Sequence, residues 1–433
     1  MLTLYRIALY FALPVVVIRL LYRTSRNKQY LTKISQRFGF NLLLPEVKNN
    51  PAKEDAYSDG IWIHAVSVGE VNAAVPLVKN LLASFPGKAI TITTMTPTGS
   101  DRVRKVFGES VQHCYLPYDY PGAVKRFLNA VRPQLAMVME TEIWPNLINE
   151  CHSRQIPMIY TNVRLSSRSH KGYLRFKKLF APTLKKVSRF AVQAKADAER
   201  LINIGANADT VEVTGSIKFE MTLPASVTEA AQSVRRDLGW ERPVWVAGST
   251  HEGEESQVID AYLKARKEIE NLLLVLVPRH PERFSAVFKL AVGYGCETVL
   301  RSQSNTGIPQ DTEIYVADTM GELTLLIAAG DVAFIGGSLV SIGGHNVLEA
   351  CAAGVAVIFG PHMFNFQEIS DLVLAKGAGI QVMDSDELCE VIVKLLNDPV
   401  IRDQYGSEGR ELIEANKGAL EKICAMVDRC GLI

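Results

Sequence analysis

From Ile61 onward, short uninterrupted apolar runs alternate with amphipathic helical stretches. The runs IWIHAVS (61–67), AITITTM (89–95), VQHCYLPYD (111–119), QLAMVME (134–140), IPMIYTN (156–162), RFAVQAK (189–195) and DTVEVTG (209–215) predict one series of strands. A thin segment rich in Thr, Pro, Ala and Ser, MTLPASVTEA (221–230), interrupts the pattern. Alternation resumes with PVWVAGS (243–249), LLLVLVP (272–278), ETVLRS (297–302), EIYVAD (313–318), DVAFIGG (331–337), VAVIFG (355–360) and GIQVM (379–383). Strands that are apolar throughout and separated by helices belong to parallel sheets covered on both faces. Two such series around a linker predict an α/β protein of two doubly wound domains. Each then takes ligands beyond the carboxyl ends of its strands, and a cleft between them is the default active site.

The first forty residues follow a different pattern. Ile7 to Ile18 (IALYFALPVVVI) is an uncharged apolar run, resumed after Arg19 by Leu20, Leu21 and Tyr22. Alone it is shorter than the roughly 20 residues of a clean spanning helix. With Leu20 to Tyr22 included it reaches a marginal span, and Arg19 can snorkel toward the interface. No small-residue cleavage site follows, which argues against an excised signal peptide. Arg23, Arg26, Lys28, Lys33 and Arg37 come next, with no Asp or Glu before Glu46. The positive-inside bias makes that side cytoplasmic, and anionic lipid attracts it. The alternative is a buried N-terminal helix of a soluble domain. The expectation is a membrane-attached protein with a cytoplasmic body.

Composition narrows the class. A chain of 433 residues has room for two to three domains at about 150 residues each. An apolar fraction of 48% with 21% charged residues excludes disorder as the main state. A net charge of +1 provides no basic footprint for nucleic acid. Seven dispersed cysteines without a CxxC pair read as reduced thiols, not as a disulfide framework or a zinc site.

The loops leaving the strands carry the candidate chemistry. In HAVSVGEVNAA, Gly69 permits a tight turn and Glu70 sits at a helix N-terminus beyond a strand. Glu70 is either a dipole-stabilised surface residue or a general base facing the cleft. In MVMETEIWPNL, Glu140 and Glu142 lie two apart at a strand end, as a helix-capping acidic pair or as two carboxyls that raise each other's pKa. VTGSIKFE puts Lys218 at the domain hinge, where it holds an anion or is simply solvated. Pro278, Arg279 and His280 follow another strand, and arginine suits phosphate. Met320-Gly321-Glu322 forms a further strand-to-helix turn. In IGGSLVSIGGHNVLEACAAG, the pairs Gly336-Gly337 and Gly343-Gly344 flank a loop running into a helix near Asn346. Close-packed amides and a helix N-terminus form an anion seat there, and Glu349 can accept from ribose hydroxyls. A plain structural loop with a capping His345 is the alternative. There is no Walker motif, and no GxGxxG follows the first strand.

Taken together, HAVSVGE, ETEIWPN, GSIKF, PRHPERF, MGEL and GGHNVLEA resemble the 3-deoxy-D-manno-octulosonic acid (Kdo) transferases of lipopolysaccharide synthesis. All six motifs stand in order, over a likeness running from the N-terminal anchor to about residue 400. The resemblance implies a GT-B glycosyltransferase fold with two Rossmann-like domains facing a cleft. The expected boundaries are an N-terminal membrane anchor and basic segment (1–40), an acceptor domain (41–220), a linker (221–230), and a CMP-sugar domain with C-terminal helices (231–433). It implies inverting transfer of Kdo from CMP-Kdo to a lipid A precursor (lipid IVA) at the cytoplasmic face of the bacterial inner membrane, with no catalytic metal and no cofactor. It implies further that Glu70 is the proton acceptor and that Glu140 and Lys218 stabilise the transition state. Contact with CMP falls to Pro278, Arg279, Met320, Gly321, Glu322, Asn346, Val347, Leu348 and Glu349. Two readings stay beside it: another nucleotide-sugar transferase of the same fold, and a non-catalytic membrane-tethered scaffold.

Overall fold

The computed structural model describes residues 1–26, 33–42, 59–221, 223–304 and 307–431. Each of the apolar runs contributes one strand, and the strands form two seven-stranded sheets. The first sheet contains β1 (Ile61–His64), β2 (Ile90–Thr94), β3 (Gln112–Tyr115), β4 (Leu135–Met139), β5 (Met158–Val163), β6 (Arg189–Val192) and β7 (Val211–Val213). Its order is β3-β2-β1-β4-β5-β6-β7, with every pairing parallel. The second contains β8 (Val244–Thr250), β9 (Leu273–Pro278), β10 (Thr298–Leu300), β11 (Ile314–Val316), β12 (Val332–Ile335), β13 (Ala356–Phe359) and β14 (Gly379–Gln381). Its order is β10-β11-β9-β8-β12-β13-β14, again all parallel.

The apolar runs are continuous because their strands are covered on both faces. Trp62 and Val138 pack on one side of the first sheet, while Ile61, Ile63 and Met137 pack on the other. Trp245, Leu274 and Phe334 anchor the core of the second. At the roughly 25 cal/mol per Å² that apolar burial yields, each such side chain contributes about 1.5–3 kcal/mol.

The chain divides into two compact units, Met1–Glu220 with Lys417–Ile433, and Met221–Asn416. This differs from a second domain running from 231 to the end. The helix Pro399–Asn416 stays with the second unit, where Gly406 approaches so closely that an added Cβ would stand 2.1 Å from the Gly354 carbonyl oxygen. The last helix, Ala419–Asp428, returns to the first unit and buries Ile423, Met426 and Val427 beside Val71, Leu77 and Ile217. Its start is capped by Glu220, whose Oε1 accepts from the Gly418 and Leu420 amides at 2.8 and 3.0 Å. The expected linker is also shorter than its composition suggests. The helix Ala225–Leu238 begins inside it, because Ala231, Val234 and Leu238 have a stripe to bury; Thr222 lies outside the described residues.

The N-terminal helix runs Leu2–Arg26, and its portion Leu2–Leu20 is long and apolar enough to cross a membrane by length and composition. One face meets the first unit. Tyr5 donates to Asp119 at 2.9 Å, Arg6 donates to the Asn146 side chain at 2.7 Å, and Tyr120 donates to the Leu9 carbonyl at 3.1 Å. Leu4, Ile7, Phe11, Val15 and Ile18 form an exposed apolar stripe at helical spacing. The basic segment after the helix is not uniformly a lipid-facing surface. Arg37 is 2% exposed, donates to the Met95 carbonyl at 3.1 Å and lies over the Tyr115 ring, 4.6 Å from its centroid. It serves packing in place of lipid contact, because a guanidinium can satisfy itself on a carbonyl and an aromatic face. Lys28 lies outside the described residues.

Candidate active site

In the first sheet the strand order reverses between β1 and β4, and ligands of doubly wound sheets bind beyond the strand ends at such a point. The segment after β1 carries Glu70; the segment after β4 carries Glu140 and Glu142. Ser67 caps the helix Val68–Ser84, its hydroxyl accepting from the Glu70 amide at 3.5 Å. The Glu70 carboxylate folds back, accepting from the Val66 amide at 2.8 Å and the Ser67 hydroxyl at 3.2 Å. This is a variant of the Ser-x-x-Glu capping box. Glu70 thus stands at the helix N-terminus as expected, but as a buried carboxylate and not as a surface residue.

Glu70 is 8% exposed. Burial raises its carboxyl from 4.5 to about 7, the Glu140 and Glu142 charges add to the rise, and the Val66 and Ser67 hydrogen bonds oppose it. A carboxyl near neutrality is matched to taking a proton at physiological pH. Glu142 is also raised, by burial first and by Glu140, while the Trp144 indole, donating at 2.9 Å, lowers it. The three carboxyls are thus one electrostatic group. Strand alternation is not what gathers them, since β4 ends at Met139. Glu140 instead turns through φ 56°, with its amide bonded to the Thr161 carbonyl at 2.9 Å.

Lys218 lies on the short turn Ile217–Phe219, whose first amide bond is the Ser216 hydroxyl accepting from the Lys218 N–H at 3.4 Å. Ile217 packs in the same core as Val71 and Leu77 of the helix that Glu70 opens, which seats the lysine turn on that helix. The ammonium makes no hydrogen bond or ion pair among the described residues, leaving it available to an anion.

In the second sheet the order reverses between β8 and β12. The amides of the first glycine pair are not an open anion seat. Those of Gly337, Ser338 and Leu339 donate to Glu254 at 2.7, 3.0 and 2.9 Å, joined by the His251 amide at 3.2 Å. Glu254 has no exposure and is an internal anion for this loop, and a Cβ on Gly336 would stand 2.6 Å from its Oε2. The second glycine pair leads to His345, whose Nε2 meets that of His251 at 2.8 Å, with His280 edge-on to His251 at 5.2 Å. Burial, followed by Arg279 and the other two histidines, lowers His345 to about 3, so it stays neutral.

Arg279 is exposed just past β9, anchored by its amide to the Thr250 carbonyl at 3.0 Å; Pro278 ends the strand and is buried. Met320 is exposed, and Gly321 adopts φ 91° with open space where a Cβ would point. The Glu322 carboxylate is held by Arg301 through two bonds of 2.7 Å, which lower its pKa. The helix expected near Asn346 starts at Leu348, with the Asn346 side chain accepting from the Leu348 amide at 3.3 Å. Val347 and Leu348 have no exposure, and the Leu348 amide is already taken by Asn346, so of this expected stretch Asn346 and Glu349 are the half-buried members. Glu349 accepts from the Thr324 hydroxyl at 2.7 Å. No group of three His, Cys, Asp or Glu side chains is placed to hold a metal ion among the described residues.

Residues 32–221 match the family model described as 3-deoxy-D-manno-octulosonic-acid transferase (kdotransferase). The chain is 38% identical over 401 residues to the 3-deoxy-D-manno-octulosonic acid transferase of Haemophilus influenzae, covering 92% of this chain and 91% of that one. This chain belongs to the Kdo transferase family. The corresponding enzyme of Bordetella pertussis is 35% identical over 370 residues, covering 84% and 85%. The solved UDP-GlcNAc 2-epimerase of Neisseria meningitidis superposes with a TM-score of 0.57 at 12% identity, covering 86% of this chain and 100% of that one. That likeness shows the fold alone, which is of the GT-B type. As a Kdo transferase the protein is a glycosyltransferase. Two residues that this transferase uses structurally escape a reading of the sequence, Glu254 and Asn162. Each uses its side chain to hold a segment more than fifty residues away, and no local motif signals that partner.

Proposed function

We propose that this Kdo transferase moves Kdo from CMP-Kdo to a lipid A precursor, lipid IVA, in lipopolysaccharide synthesis, inverting the anomeric configuration. The observation that carries the reading is Glu70, a buried carboxyl near pKa 7 at the switch point of the first sheet. Its carboxylate takes the proton of a glucosamine hydroxyl. The hydroxyl oxygen forms a bond to the anomeric carbon of Kdo, while the bond from that carbon to the phosphate oxygen breaks and its electron pair leaves with CMP. CMP is a good leaving group, so no acid need protonate it. Glu140 and Lys218 stabilise the transition state, and the free Lys218 ammonium suits the donor's own carboxylate. In the second unit, Pro278-Arg279, Met320-Gly321-Glu322 and Asn346 to Glu349 take the CMP. Arg279 supplies charge to its phosphate, and Glu322 is held by Arg301, leaving the backbone of that turn to make the contact. The apolar stripe of the N-terminal helix supports attachment at the inner membrane, and the basic residues after it favour the cytoplasmic face for the catalytic body.

A transfer assay with CMP-Kdo and a tetraacylated lipid A precursor, its products resolved by mass, tests this reading. Stepwise gain of Kdo is expected, and Glu70→Ala should remove nearly all turnover while CMP still protects the protein against heat. Protection by UDP in place of CMP, with no Kdo product, would favour another nucleotide-sugar transferase.

A further inference from the structure

Asn162 has four unusual properties at once. It stands in β5 with φ 56°, a left-handed conformation that only Asn, Asp and Gly adopt readily. The pairing of β5 with β6 is irregular between Tyr160 and Val163, so Asn162 sits in a bulge, the device by which strands re-aim side chains beside active sites. It has no exposure, yet its Nδ2 has no hydrogen-bond partner, and a buried orphan amide calls for a reason. Its Oδ1 accepts twice from the segment that precedes Lys218, from the Ser216 hydroxyl and from the Ile217 amide, both at 3.2 Å.

The peptide bond on its other side leads to Glu140. The Thr161 carbonyl, immediately before Asn162, accepts the Glu140 amide at 2.9 Å, and Glu140 has the matching left-handed φ of 56°. The Asn162 carbonyl is itself fixed by the Gln193 side chain, whose Nε2 donates to it at 2.9 Å. One residue therefore ties the turn that presents Lys218 to the strand end that presents Glu140. We propose that Asn162 is the positioning residue of this site. Its carboxamide oxygen holds the Ser216–Ile217 turn, and its bulge sets the Glu140 strand end, so the two groups keep a fixed separation. The proposal rests on the reading that Glu140 and Lys218 act in the transition state.

Asn162→Gly keeps the left-handed backbone but removes the oxygen, whereas Asn162→Asp, kept as the neutral acid by its complete burial, retains a carbonyl oxygen where Oδ1 stands and puts a hydroxyl in place of the unpartnered nitrogen. Displacing a transition-state group by about an ångström costs up to roughly a hundredfold in rate. The glycine variant is expected to lose at least about tenfold in kcat with the KM for CMP-Kdo unchanged, and the aspartate variant to keep kcat within about threefold. Ser216→Ala removes one of the two donors from the outer side of the contact. It should lower kcat in the same sense, which keeps the proposal testable if the glycine variant fails to fold. A glycine variant with parental kcat would overturn the proposal, as would equal losses in the glycine and aspartate variants. Lys218→Ala and Glu140→Gln assayed alongside separate the two failures: parental turnover in both defeats the roles of those residues, whatever Asn162 does.

Discussion

The raised pKa of Glu70 ties its chemistry to a measurable stability cost. In the folded chain the carboxyl holds its proton up to about 7, against 4.5 for an unperturbed glutamate. Between those values the folded state binds more protons than the unfolded one, so this group's contribution to stability falls as pH rises, and the penalty is complete above about 7. Glu70→Gln keeps an acceptor for the Val66 amide and removes the charge. Its thermal midpoint should exceed that of the parent by a few degrees at pH 8 and match it at pH 4.5, while its turnover is lost at both. The rate of the parent should rise with pH through a single ionisation near 7. A pH-independent rate, or no gain in midpoint at pH 8, would show that burial does not control this carboxyl. Glu140 adds a second strained element at the same scale: a non-glycine residue at φ 56°, of the kind that clusters at functional sites.

At the scale of elements, the loop after β12 shows how an apparent ligand seat becomes a structural one. Its glycines allow the amides of residues 337–339 to converge, and that convergence is used inside the protein by Glu254. Burial pushes the Glu254 carboxyl up, against the opposing pull of its amide hydrogen bonds. Glu254→Ala leaves these amides without an acceptor in a buried place, where each unsatisfied group costs about 1–3 kcal/mol. Thermal unfolding should register a loss of at least about 3 kcal/mol, with weaker protection by CMP, because β12 and the Gly343–Asn346 segment lose their register. Unchanged stability would mean that the loop holds itself without the carboxylate. The N-terminal helix is the opposite case. Its apolar spacing is plain in the sequence, but the face held by Tyr5 and Arg6 is set by Asp119 and Asn146, more than a hundred residues away.

At the scale of the whole molecule, the two units are not two consecutive pieces of chain. The last helix closes the core beneath Glu70 and Lys218, with Ile423, Met426 and Val427 wholly buried against Val71 and Ile217. Ending the chain after Asn416 removes three fully buried side chains worth on the order of 5 kcal/mol together, comparable with the entire margin of a typical domain. The expected outcome is loss of the first unit's thermal transition with the second unit's retained, read by calorimetry; a single unchanged transition would show that the helix is dispensable.

The sequence by itself determined the strands, their division into two series, and the loops that bear Glu70, Glu140, Lys218 and Arg279. Continuous apolar runs have one economical solution, and ligand loops follow strand ends. The family was legible for the same reason, since its motifs are the loops themselves. Other features were decided only by tertiary structure: the burial that moves Glu70 to about 7, the carboxylate that fills the first glycine loop, the Asn162 link between the segments that bear Glu140 and Lys218, and the return of the C-terminal helix. Each depends on which distant residue supplies a low dielectric, a hydrogen-bond acceptor or an apolar face. A local pattern records that a side chain is able to make such a contact, whereas the partner is chosen by the packing of the whole fold.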